Sequence, residues 1–427
     1  MEESSGTSFD DFSIEMADFE VRKVRKYDRL FNIGEGGSID TRPLIIHGKI
    51  YFGSHNKNVY CLDAATGRLI WKFRAGDSCG ISSAAYSDGK VFIGSYDHNL
   101  YALDAETGRL VWKFSTRREI IESPSIRDGV IFIGSVDQNF YAIDAKTGQL
   151  RWKFWTSGEI ISDATFYEDL VMFGSYDKNL YCLTADGGRL IWKLAMSQEI
   201  INGGDFAIKD GFMYFASFDN LLRKIEVRTG REMWKKKICQ YGITCGTVIH
   251  NGVLYVPTED GILFAFDLDG NIIWKFTTKK PIGMPTVEGG RIYFTAEDNN
   301  LYCISLEGRL VWKFRTFEAN WWKPAVEGGV VYFGSYDCHF YALDAEDGKL
   351  LWKFRADGSP SRVPPPYTQF ELSIKIPEKE VEEEERGRYD ISEKGPEEHV
   401  GAYKSRITYQ VSTQYREKGK YQTEEEF

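Results

Sequence analysis

The sequence lacks the marks of a membrane-spanning chain and of a secreted one. No run of 18 or more apolar residues occurs in its 427 residues, so no transmembrane helix is predicted. The opening MEESSGTSFDDF has neither the basic nor the apolar region of a secretory signal. We therefore expect a cytoplasmic protein that does not insert into membranes.

Cysteine and histidine are scarce, and their spacing fits no metal or redox site. The seven cysteines form no CxxC motif, and the six histidines form neither HxH nor HExxH. GxSxG and phosphate-binding glycine loops are missing too. From these absences we expect no catalytic residue, no metal and no cofactor.

Positive charge is also in deficit. The formal net charge is −10, and the acidic residues concentrate near the carboxyl end, in Pro377–His399 with its run Glu382–Glu385. Binding to nucleic acid requires a basic surface. Nucleic acid is therefore not an expected partner.

What the sequence has in abundance is a tryptophan repeat. The recurring tryptophan stands in phrases such as RLIWKF and NIIWKF, at steps of 38 to 42 residues. A period near 40 residues with short strand-like segments is typical of a β-propeller. The eight repeated residues are Trp71, Trp112, Trp152, Trp192, Trp234, Trp274, Trp312 and Trp352.

Each repeat contains four short apolar segments separated by turn residues such as Asp-Gly and Thr-Gly, which predicts four antiparallel strands. The sequence thus predicts an all-β, eight-bladed β-propeller of four-stranded antiparallel blades over residues 36–357. The repeated tryptophans should lie against the neighbouring blade, because only an adjacent blade can cover the apolar face of a blade.

The segments on either side of the repeats have a different character. Residues 1–35 are predicted to be an N-terminal arm with a closing strand, DRLFNIG at 28–34, that packs on the junction of blades eight and one. Residues 358–427 are predicted to be a proline linker followed by a small, acidic, β-rich C-terminal extension, whose strands pair either within the chain or with another chain.

The phrase FIGSYDHNLYALDAETGRLVWKF at Phe92–Phe114 resembles the repeat of pyrroloquinoline-quinone-type propellers. That superfamily includes quinoprotein alcohol dehydrogenases and the non-catalytic propeller lipoprotein of the bacterial outer-membrane assembly machinery. The dehydrogenases hold their quinone beneath an adjacent Cys-Cys disulfide, stack it on a tryptophan and bind calcium. This sequence has no Cys-Cys pair and no long inserts. In these two respects it resembles the lipoprotein more closely than the dehydrogenases.

The predicted strand order separates two faces of the ring. The Asp-Gly and Thr-Gly turns lie on one, which we call the turn face. The YDxN turns and the blade-to-blade loops lie on the other, the loop face. The loops differ from copy to copy, and variable loops on a rigid scaffold commonly carry function. We therefore expect protein partners to bind the loop face.

The largest departure among these loops is Trp321-Trp322, at positions where other blades carry pairs such as Ile-Ile. Two interpretations stay open: the rings clamp a ligand or a partner's side chain at the channel mouth, or they plug the point where the ring closes. The polar residues expected to enter the channel, which either bind a partner or ligand or simply line it, are Arg42, Glu122, Asp163, Asn202 and Lys323.

An acidic residue also begins the second hairpin turn in seven of the eight repeats, as at Asp97 and Asp137. We expect each carboxylate to accept local backbone N–H groups and to be structural rather than metal-binding.

The sequence favours a non-catalytic scaffold for protein–protein interaction. A sensor of a small ligand or glycan at the channel mouth is the first alternative, and a quinone-dependent dehydrogenase is the second.

Overall fold

The apolar, β-branched and aromatic runs of the repeats form strands throughout the computed structural model, which describes residues 37–356 except 201–205, 244–245 and 279. These residues contain 32 strands in eight four-stranded antiparallel sheets. Each sheet uses four consecutive strands in sequence order. The predicted eight-bladed propeller is confirmed.

The innermost strands are short, and those of blades eight and one contact each other where the ring closes. The first strands of blades one to eight are β1 Leu44–Ile46, β5 Ala85–Ser87, β9 Ser125–Arg127, β13 Thr165–Tyr167, β17 Ala207–Lys209, β21 Val248–His250, β25 Thr286–Glu288 and β29 Ala325–Glu327. The second strands are β2 Lys49–Gly53, β6 Lys90–Gly94, β10 Val130–Gly134, β14 Leu170–Gly174, β18 Phe212–Ala216, β22 Val253–Pro257, β26 Arg291–Ala296 and β30 Val330–Gly334.

The third strands are β3 Asn58–Asp63, β7 Asn99–Asp104, β11 Asn139–Asp144, β15 Asn179–Thr184, β19 Leu221–Glu226, β23 Ile262–Phe266, β27 Asn300–Ser305 and β31 His339–Asp344. The outermost strands are β4 Leu69–Arg74, β8 Leu110–Ser115, β12 Leu150–Trp155, β16 Leu190–Ala195, β20 Glu232–Lys237, β24 Ile272–Thr277, β28 Leu310–Arg315 and β32 Leu350–Arg355.

The hydrophobic core lies between blades rather than within them. The second and third strands are buried along almost their whole length, whereas the fourth strands are largely exposed. One core cluster, for example, joins Phe92 and Leu100 of blade two to Ile131 and Ile143 of blade three. Since each blade completes the core of the next, no blade buries its apolar surface alone.

Each repeated tryptophan faces a glycine of an adjacent blade. Gly108, at φ +70°, leaves so little room that an added Cβ would lie 2.6 Å from the Trp71 ring. Only glycine combines positive φ with such a close approach. Trp71 also donates its indole N–H to the carbonyl oxygen of Ala105 at 3.0 Å. The eight pairs are Trp71–Gly108, Trp112–Gly148, Trp152–Gly188, Trp192–Gly230, Trp234–Gly270, Trp274–Gly308, Trp312–Gly348 and Trp352–Gly67.

The ring closes through contacts between blades eight and one. Within the described residues, blade eight consists only of β29–β32 and blade one only of β1–β4, so no strand is shared across the closure. Instead, the backbone N–H of Ile39 donates to the carbonyl oxygen of Ser335 at 3.1 Å, and the rings of Phe52 and Phe340 stack with centroids 4.6 Å apart.

The predicted closing strand at 28–34 and the predicted C-terminal extension both lie outside the described residues. The chain divides into two units, residues 1–372 and 373–427. Within the described part of the first unit, no helix is long and apolar enough to span a membrane.

We call the packing of a repeated tryptophan on the glycine of the adjacent blade a seam. We predict that these seams hold the ring together. Trp71→Ala removes a side chain that is 8% exposed and should lower the free energy of unfolding by about 3–5 kcal/mol. Urea unfolding followed by circular dichroism measures the change.

Trp155→Ala is the matched control for that experiment, because Trp155 is 62% exposed and its loss should change stability little. Equal unfolding midpoints for the two variants would contradict the role assigned to the seam.

Candidate functional site

The candidate residues lie in the short segments that lead from one blade into the first strand of the next. Arg42, Asp163 and Lys323 stand at the same register, two residues before β1, β13 and β29 respectively. Glu122 and Trp322 stand one register position earlier, three residues before β9 and β29. The remaining candidate, Asn202, lies outside the described residues.

A belt of hydrogen bonds joins the segments that lead into blades one to four. The backbone N–H of Arg42 donates to Ser83 Oγ at 3.1 Å, and that of Ser83 donates to Ser123 Oγ at 3.1 Å. The backbone N–H of Ser123 then donates to Asp163 Oδ1 at 3.0 Å. At this register, therefore, a side-chain acceptor of each blade binds the backbone of the preceding one.

An apolar cluster, which we call the plug, lies in the channel at the loop face. Trp322 is 9% exposed and shares this cluster with Ile81, Ile121 and Ile161 of blades two to four, and Trp321 packs against it. Because blade eight contributes the tryptophans and blades two to four the isoleucines, the cluster crosses the axis of the ring. This placement favours the plug interpretation of the tryptophan pair, and a clamping role stays a prediction.

A buried carboxyl that the sequence reasoning missed lies near the plug. Asp40 is 3% exposed and accepts a hydrogen bond from Tyr336 Oη at 2.8 Å. Burial raises its pKa well above the usual range, and the hydrogen bond from Tyr336 opposes part of that rise. The sequence did contain a signal for this residue: Asp40 occupies the repeat position at which blades three and four carry Ile121 and Ile161.

The structure brings two of the predicted channel residues together. Glu122 is 1% exposed, and its carboxyl lies within hydrogen-bonding reach of the Asp163 side chain. Burial raises the pKa of Glu122 well above its usual range, and the neighbouring charge of Asp163 raises it further. Two adjacent buried carboxyls cannot readily both be ionised. The pair therefore favours a state in which one of the two carboxyls is protonated.

The repeated aspartates of the loop face are structural, as predicted. Asp137 Oδ1 accepts the backbone N–H of Asn139 at 3.0 Å. Asp137 Oδ2 accepts the hydroxyl of Tyr141 at 2.6 Å and the backbone N–H of Arg117 at 2.9 Å. Since Arg117 precedes blade three, this one carboxylate anchors the loop that enters its own blade.

A second acid missed by the sequence reasoning is Glu297, in the second hairpin turn of blade seven. It is 8% exposed, at the position that Tyr96 and Tyr336 occupy in blades two and eight. Burial raises its pKa from 4.5 to about 8, although the positive charge of Lys280 opposes this shift. Glu297 is therefore largely protonated at neutral pH.

The residues present do not fit the quinone and calcium of the dehydrogenases that the repeat resembles. Trp322 is an aromatic side chain at the channel that could stack a quinone, but isoleucines pack against it. In the described ranges, no three His, Cys, Asp or Glu side chains are grouped so that they could hold a metal ion.

Two family models match the sequence. The model described as "Beta-alanine-activating enzyme, beta-propeller" matches residues 91–328. The model described as "Glucose/ethanol/alcohol dehydrogenase, beta-propeller domain" matches residues 23–121. No curated protein matches the chain in sequence. The resemblance to quinone-type propellers is confirmed by these models and by the structural neighbours.

Similar solved structures include a computationally designed protein and an alcohol dehydrogenase. BamB from Moraxella catarrhalis is 18% identical with a TM-score of 0.60, covering 73% of this chain and 96% of its own. The computationally designed Ika8 protein is 15% identical with a TM-score of 0.63, covering 76% and 97%. Quinohemoprotein alcohol dehydrogenase from Comamonas testosteroni is 14% identical with a TM-score of 0.62, covering 76% and 74%. Likeness at these identities shows the shared fold alone.

We predict that Glu297 makes stability fall as pH rises. The unfolded chain releases this proton near pH 4.5, whereas the folded chain keeps it until about pH 8. The folded state is therefore stabilised below this window and loses that stabilisation as pH rises through it. Urea midpoints measured between pH 5 and pH 9 should fall less for Glu297→Gln than for the wild type.

The control is Glu288→Gln, since Glu288 is exposed and should keep the wild-type pH dependence. Parallel pH curves for the wild type and Glu297→Gln would refute the prediction.

Proposed function

We propose, from the premise that this chain belongs to the β-propeller family described as "Beta-alanine-activating enzyme, beta-propeller", that it is a non-catalytic scaffold that binds protein partners on its loop face. Family membership accounts for the fold, and function has to be argued from the site. The observation that carries the proposal is the plug. With Trp322 buried among isoleucines, the loop face offers a closed surface at its centre rather than a pocket for a cofactor.

Exposed aromatic side chains around that surface support the proposal. Phe317 is 78% exposed, Tyr241 66% and Trp155 62%. The first two lie in blade-to-blade loops, and Trp155 ends the fourth strand of blade three, at the same face. Aromatic residues are enriched among the side chains that contribute most to protein–protein binding.

The alternatives have weaker support. A dehydrogenase would need a quinone site that these residues do not fit, and a sensor that clamps its ligand between Trp321 and Trp322 would need the plug to open. The propeller lipoprotein that the repeat resembles in sequence is a precedent for a propeller of this type without an active site. The cytoplasmic location remains part of the proposal.

Affinity purification from the native cell, followed by mass spectrometry, tests the scaffold. We expect proteins that co-purify with the full chain to be lost when Trp155, Tyr241 and Phe317 are all changed to serine. These side chains are exposed, so the change should leave the ring folded. Versions lacking residues 1–30 or 367–427 show whether the terminal segments contribute.

The matched control changes Leu110, Leu310 and Leu350 to serine, because these side chains are 44–50% exposed on the outer strands, away from the loop face. Partners lost equally from both triple variants would argue against the loop face. An absorbing quinone retained by the purified, reconstituted protein would argue for the dehydrogenase instead.

A further inference from the structure

The hydrogen-bond belt cannot continue from blade eight to blade one. In blades two to four, the side chain at this register accepts the backbone N–H of the preceding blade, as Ser83, Ser123 and Asp163 do. Blade one carries Arg42 there, and a guanidinium has donors but no acceptor. The residue at the same register of blade eight is Lys323. The two blades that meet at the closure thus carry cationic residues at this register, and neither side chain can accept a hydrogen bond.

Arg42 lines a cavity inside the channel. The cavity measures about 500 Å³ and is formed by the first strands of blades one to five and the residues that lead into them. Its volume lies in the range of roughly 300–1,000 Å³ that is usual for small-molecule sites. Large apolar or aromatic side chains on its wall are Leu44, Tyr86, Ile126 and Phe166.

This cavity is separate from the plug. Plug residues such as Ile121 and Trp322 precede their first strands by three or four residues. The cavity lining begins at Arg42 and continues into the first strands, which run from the loop face towards the turn face. A ligand in the cavity would therefore lie on the turn-face side of the plug, away from the proposed protein-binding surface.

Arg42 is charged, and no partner for its charge lies among the residues that the structure describes. Its one hydrogen bond in the described ranges is the one from its backbone N–H to Ser83, and no carboxylate there pairs with its guanidinium. Among the acids near this register, Asp40 and Glu122 are buried with raised pKa values, and Asp163 accepts the backbone N–H of Ser123. A cation at the wall of a cavity with both polar and apolar lining can pair with an anion.

We propose that this cavity binds a small carboxylate with an apolar body, whose carboxylate pairs with Arg42 and whose body lies against the first strands of blades one to five. The guanidinium supplies paired donors in a planar geometry that matches a carboxylate. The apolar wall gains from the removal of the ligand's apolar surface from water. This binding activity goes beyond the scaffold function and does not depend on it.

Isothermal titration calorimetry of the full chain with 4-phenylbutyrate tests the proposal. We expect one molecule to bind per chain, and the uncharged 4-phenylbutyramide to bind at least about tenfold more weakly, since hydrogen bonds to charged groups are the strong ones. In Arg42→Gln, the carboxylate should bind as weakly as the amide. Ser125→Phe, which places a ring in the cavity, should abolish binding of both.

Arg74→Gln is the matched control, because Arg74 is an exposed arginine on the outermost strand of blade one and its loss should leave binding unchanged. Near-ultraviolet circular dichroism verifies that each variant is folded. The proposal is overturned if the folded wild type gives no binding heat, if the amide binds as tightly as the carboxylate, or if Arg42→Gln or Ser125→Phe binds like the wild type.

Discussion

An indole ring packed on a glycine turn of the adjacent blade is the contact on which the ring depends. It occurs eight times, and in each case an added Cβ on the glycine would collide with the ring. The core clusters also extend across blade boundaries, as between Phe92 and Ile131. A blade therefore has little to stabilise it alone, and the ring is stable because every seam is filled, the closing seam between blades eight and one included.

The seams are uniform, whereas the segments at the channel vary. At one register the chain places Ser83, Ser123 and Asp163, which accept backbone hydrogen bonds, and then Arg42 and Lys323, which carry positive charge. Because this register lies beside the axis, a change of residue there alters the channel without altering the packing between blades. The repeat thus leaves a few positions free to acquire binding functions.

The plug divides the channel and so separates the two proposed functions. Trp322 and the isoleucines of blades two to four close the loop face, which favours contact with protein surfaces over capture of a cofactor. Below the plug, the apolar first strands and Arg42 surround a cavity of about 500 Å³. A protein partner and a small carboxylate could therefore bind at opposite sides of the same cluster.

The number of blades, the strand order and the turn chemistry could all be predicted from the sequence, because each depends on residues within one repeat of about 40 positions. The local hydrogen bonds of Asp137 were predictable for the same reason. The partnership of Asp40 with Tyr336 was not, since these residues are 296 positions apart and meet only when the ring closes. The plug could not be predicted for the same reason, because no local pattern relates Trp322 to Ile121. Sequence alone thus determined the blade, whereas only tertiary structure decided which side chains converge at the axis, where contacts join blades that are distant along the chain.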